Sequence, residues 1–270
     1  METVVTPDSP IALLQRLKEI GKRLPGEVRS LNWEIERDQS IAQALDQDAS
    51  DPVEGAINPE HLESKGIMSP EELKRWVKGD GDHDMQAFSL PVSNKDIALE
   101  ERFYGFGYAS MDGKKGDPRY DPGFNRRFRY LRDNAGLGQS DIREYNFWVD
   151  RSDENFPIDA TELRHDTTVG WVAQHLLSLF EKHAEEQGDA RSLALFMAVQ
   201  PEDLPIDGNV LQELGFNATE KTTGRDYDDP DRQGDNTLFV LTFDAFAKAL
   251  IAMDKKSQVY YGAGKAGGVV

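Results

Sequence analysis

The residues best equipped for chemistry stand together in segment 114–132, KKGDPRYDPGFNRRFRYLR. Seven cations (Lys114, Lys115, Arg119, Arg126, Arg127, Arg129 and Arg132) face only Asp117 and Asp121, and Tyr120, Phe124, Phe128 and Tyr130 interleave with them. Guanidinium forks hold phosphates and aromatic rings stack on bases, so this composition suits a local RNA or nucleotide contact through Arg126, Arg127 and Arg129. The same segment also suits an excursion between strands whose cations pair with the protein's own acids, or with an acidic partner. It carries a net +5 in 19 residues; the whole chain carries −18, so the rest carries −23.

Other constellations are excluded. The 270 residues contain no cysteine, which removes disulfide scaffolds, thiolate metal sites, iron–sulfur clusters and cysteine nucleophiles. Five histidines without HxxxH spacing predict no metal site. Neither GxSxG nor GxxxxGK[ST] occurs, which removes the simplest hydrolase and P-loop readings. Gly105-x-Gly107 falls inside a strand pattern, so it is no dinucleotide fingerprint. The acidic run 226–231, DYDDPD, lacks the glycine and distant Glu of an EF-hand and reads as a solvated loop. The opening METVVTPDSP lacks the basic start and apolar core of an export signal, and the longest apolar run, near 193–199, is too short for a bilayer. A cytoplasmic protein without a membrane segment is therefore expected, its acidic skin favouring cationic ligands.

The elements that must position such residues follow from periodicity. Apolar spacing over 10–24, closed by Pro25-Gly26, predicts a helix. Leu31, Trp33 and Ile35 alternate as in a short strand, and 41–45 could start another helix. Ser69-Pro70-Glu71-Glu72 opens a further one. Residues 85–92, 101–111, 143–150 and 158–165 read as strands. An amphipathic helix over 169–187 ends at Gly188. The run 192–199 is a buried central strand, 209–214 a short helix, 237–243 a strand and 244–253 a helix. We expect a helical extension at 1–27, one domain over 28–254 and a glycine-rich mobile tail at 255–270.

The segment from Thr167 to Phe216 resembles the acyl-CoA-binding core of the GNAT superfamily of N-acetyltransferases. A turn containing Gly170 opens a long helix, a Leu/Val-rich strand follows, and a short helix ends in Leu214-Gly215-Phe216. Residues 69–78 resemble the family's second helix and 103–109 its GFxx strand. The resemblance implies an α+β fold: a mixed, mostly antiparallel sheet with splayed strands, flanked by helices. It also implies acetyl-CoA as co-substrate and direct attack by an amine of a small molecule or peptide.

By the same resemblance, Val169, Gly170, Trp171, Val172 and Ala173 would hold the pyrophosphate with the free amides of a helix N-terminus. Either Val172 or Trp171 then stands where the family has a small residue. The family's general-acid Tyr, four residues before Gly215, is Leu211. That departure implies another acid, water, or a GNAT-like binding module without catalysis, acting through the basic segment. Glu162 is the candidate base, with His165 as the alternative. Strand alternation would put His165 with Asp159 and Glu162 opposite, and His165 has the reference pKa suited to neutral proton transfer.

Overall fold

A computed structural model describes residues 10–29, 83–89, 103–110, 131, 136–137, 140–149, 161–225 and 233–265. The expected elements at 31–35, 41–45 and 69–78, the basic segment with Arg126, Arg127 and Arg129, and the loop 226–231 lie outside these residues. The described elements fall into two compact units. No described helix is long and apolar enough to cross a membrane.

One unit holds a three-stranded antiparallel sheet. Strand β1 (Glu27–Arg29) pairs with β2 (His83–Ser89), which pairs with β3 (Phe103–Ser110). Gly105 and Gly107 sit opposite Phe88 and Gln86, so the GxG pair is strand, as its sequence context predicts.

The other unit carries the segment that resembles the acyl-CoA-binding core. Its strands are β4 (Asp141–Val149), whose first half belongs here, β5 (Leu193–Val199), β6 (Asn217–Arg225) and β7 (Gln233–Thr242). Strands β4 and β5 are parallel, whereas β7 runs antiparallel to both β5 and β6. A parallel pair needs a long crossover, supplied by α2 (Thr161–Gln187). A short α3 (Asn209–Glu213) follows β5, and α4 (Phe243–Lys265) follows β7 directly. This is a mixed, mostly antiparallel α+β arrangement, as the sequence implies.

Burial explains the order. In β5, LALFMAV, every residue but Ala198 is buried, because both sheet faces are covered. Ile142, Ala194, Phe196, Leu238 and Val240 form one face's core with Leu131 and Leu137. On α2, Val172, Leu176, Leu179 and Phe180 are buried. Phe180 meets Phe243 edge-on at 5.3 Å and stacks on Phe246 at 5.4 Å, which ties α2 to α4.

The N-terminal helix α1 (Pro10–Gly21) buries Leu14, Leu17 and Ile20 and contacts both α2 and α4. At its end a Cβ on Gly21 would stand 2.9 Å from the Leu177 side chain, so the glycine admits close approach to α2. Lys18 pairs with Glu181 of α2, and Arg23 with Asp254 of α4 at 2.7 Å. This helix packs within the unit.

Two expectations are corrected, and one strand has no counterpart in the sequence pattern. Helix α2 starts at Thr161, eight residues before Val169, so 161–165 is helix and not strand. Glu162, Leu163 and Arg164 are good helix formers, and the β-branched Thr167, Thr168 and Val169 continue the helix because packing buries them. Residues 217–225, NATEKTTGR, form β6; a strand paired through one edge needs no apolar alternation. Helix α4 runs to Lys265, beyond the expected end at 253 and into the expected tail.

Candidate active site

Strands β4 and β5 pair over four positions only, from Asp141–Leu193 to Glu144–Phe196. Beyond Phe196, Met197, Ala198 and Val199 continue their ladder with Phe239, Leu238 and Thr237 of β7. Among the described residues, these three have no ladder partner on their β4 side, which is thus a strand edge. Such an edge is a template for an extended, amide-bearing ligand.

At the level where the ladder ends, Tyr145 is fully buried, and burial pushes its phenol well above the usual tyrosine range. Its hydroxyl lies 3.4 Å from His175 Nδ1 on α2, and its ring 6.5 Å from that of Phe216. Phe216 belongs to the Leu214-Gly215-Phe216 turn. Gly215 has φ +89°, and a Cβ there would stand 2.6 Å from the Ala245 carbonyl oxygen. The motif thus marks a left-handed helix end pressed against the first turn of α4.

Of the candidate bases, His165 lies in the second turn of α2, with Nε2 2.9 Å from Oε2 of Glu213, the last residue of α3. Both side chains are about one-third exposed. The carboxylate accepts, so neutral His165 carries its proton on Nε2 and its lone pair on Nδ1. Glu213 escaped the sequence reading; its only signal was its place beside Leu214-Gly215-Phe216. Glu162 stands three residues before His165 on the same helix, so the two occupy neighbouring helix positions, not opposite strand faces.

Residues 169–173 are placed differently from the expectation. They lie two turns inside α2, where amides are committed to the helix ladder, and all five are buried. The amides that lack a partner within the helix belong to residues 161–164. Gly170 has a packing reason: a Cβ would stand 2.2 Å from the Pro25 carbonyl oxygen, which also accepts from Gln174 Nε2 at 3.3 Å. Gly170 and Gln174, one turn apart, seat the chain that leaves α1. Leu211 is fully buried in the core, so no polar group replaces the Tyr at that position.

The class that this fold defines is an α+β protein with a mixed sheet, in which the parallel β4–β5 ladder has four rungs. No protein-family model and no curated protein matches the chain. Solved structures similar to it include a chimera of the Vibrio cholerae spermidine N-acetyltransferase SpeG and hSSAT, at 9% identity and TM-score 0.43, over 82% of this chain and 98% of that one. Another is Mycobacterium smegmatis RimJ in complex with CoA-disulfide, at 14% identity and TM-score 0.42, over 86% and 91%. A third is a GNAT-family acetyltransferase of Streptococcus pneumoniae, at 14% identity and TM-score 0.41, over 81% and 99%.

Proposed function

We propose that the chain is an acyl-CoA-dependent N-acyltransferase, moving an acetyl group from acetyl-CoA to an amine by direct attack. The observation that carries the reading is the β4–β5 ladder ending at Glu144–Phe196 while β5 runs on to Val199. Backbone groups of Met197, Ala198 and Val199 would hold the amides of the pantetheine arm as an added strand. The open amides of 161–164 would receive the diphosphate, in place of residues 169–173. Acetyl-CoA, when bound, supplies the thioester.

His165 takes a proton from the incoming ammonium on Nδ1, because Glu213 holds the ring's other nitrogen. Glu162 is the alternative base. The acceptor is cationic, a polyamine, aminoglycoside or Lys-containing peptide, since the protein carries −18 overall and such charge concentrates cations. The buried Leu211 favours a second reading, a GNAT-like module that binds without transferring, with segment 114–132 as its contact to nucleic acid or an acidic partner.

Thiol release from acetyl-CoA, followed with spermidine, kanamycin and a lysine peptide as acceptors, tests the proposal. The expected result is release with at least one acceptor, and a kcat lower by about 10²-fold or more in His165→Gln with KM for acetyl-CoA unchanged. Binding of acetyl-CoA without release from any acceptor would select the module. Absence of binding at millimolar ligand would sink both uses of acetyl-CoA.

A further inference from the structure

At the closed end of the β4–β5 pair, a set of buried polar side chains has no part in the proposed chemistry. Arg143, the third residue of β4, is 3% exposed, and His183 of α2 is 1% exposed. Arg143 Nη2 lies 3.1 Å from Asp141 Oδ2 and 3.4 Å from His183 Nδ1. His183 Nε2 lies 2.8 Å from Ser192 Oγ, and that hydroxyl donates to the Asp189 carbonyl at 2.7 Å. Ser192 closes the 3₁₀ turn Ala190–Ser192, immediately before β5.

Serine, histidine and aspartate in this order resemble a nucleophilic triad, but the donor count reverses its polarity. A guanidinium only donates, so Nδ1 of His183 must accept and Nε2 must carry the proton. The serine proton is committed to a carbonyl. Hydrogens therefore run one way: from Arg143 to His183, to Ser192, to the backbone of Asp189. The imidazole has no lone pair left with which to deprotonate the serine, so the cluster activates no nucleophile.

We propose that this relay is a proton-sensitive lock on the start of the β4–β5 pair: a proton on His183 Nδ1 breaks the Arg143 contact and sets the two cations in competition for Asp141. The nearest acceptor for the new N–H is Asp141 Oδ2, 3.6 Å away, which already holds Arg143. The other charged groups around the ring are Glu186 on α2, 3.9 Å from Arg143, and Asp189 at the cap of the turn; Arg191 of that turn is engaged by Asp244. Asp141 and Ser192 flank the first rung, Asp141–Leu193, so a rearranged relay acts on a ladder only four rungs long.

Desolvation first, and then the Arg143 guanidinium, hold the His183 pKa below the usual histidine value, against the pull of Asp141, Glu186 and Asp189. The folded state thus resists a proton that the unfolded chain accepts. The stability contribution is present in full above the unfolded value, about 6.5, and is lost as pH falls through the folded one.

The test is urea unfolding of the wild type and His183→Gln between pH 7.5 and 5.5; glutamine keeps one donor and one acceptor but cannot titrate. The unfolding constant of the wild type is expected to rise by up to about tenfold more than that of the variant. Nitrogen-15 spectra of the wild-type imidazoles give a second readout should the variant not fold. They should show the proton of His183 on Nε2 at pH 7.5, and ring protonation below the ordinary midpoint together with shifts of the Asp141 and Leu193 amides. Equal pH dependence in both proteins, a proton on Nδ1 at pH 7.5, or ring protonation that leaves those amides unmoved would overturn the lock.

Discussion

Trp171→Ala will destabilise the protein by about 3–5 kcal/mol, the cost of removing a large buried aromatic side chain. Trp171 is fully buried in α2, among the largest side chains of the core. A loss of that size is a large part of the ~5–15 kcal/mol that holds a typical domain together. The prediction also decides between two roles. A residue of a pyrophosphate loop would lose ligand binding and keep its fold; a core residue loses its fold first. Urea unfolding without ligand checks it, and an unchanged midpoint would return Trp171 to the loop role.

Gly170→Ala gives the second large effect, and its sign is the informative part. Inside a helix alanine is favoured over glycine by about 1 kcal/mol. Against that stands a Cβ placed 2.2 Å from the Pro25 carbonyl oxygen, a backbone atom fixed by the end of α1 and by Gln174. Relieving such a contact moves helix against chain, and overpacking of this kind costs about 1–3 kcal/mol. The clash should win, with a lower thermal midpoint in the absence of any ligand. A higher midpoint would mean that the chain after α1 does not lie over this turn.

Much of the fold was legible because its elements bury apolar residues with a clear period. The run of β5, the apolar stripe of α2 and the glycine after α3 all announce themselves. The start of α2 did not: residues 161–165 fall in a strand pattern, and the β-branched Thr167 and Thr168 after them are helical because packing buries them. Strand β6 was silent because its polar residues need only the β7 edge. Gly170 was visible as a special position, but a glycine that admits a ligand and one that admits a neighbouring carbonyl leave the same trace in sequence. Glu213 and the Arg143–His183 contact join residues 48 and 40 positions apart, and neither spacing follows from any local pattern.

We propose that the β5 edge beyond Phe196, together with the first turn of α2, receives an acyl-CoA. An amide chemical-shift titration of the full chain with acetyl-CoA tests it most directly. Saturable shifts are predicted at Met197, Ala198 and Val199 and over residues 161–164, with residues 169–173 moving little. Unchanged amides at millimolar acetyl-CoA, or shifts confined to residues 169–173, would contradict it.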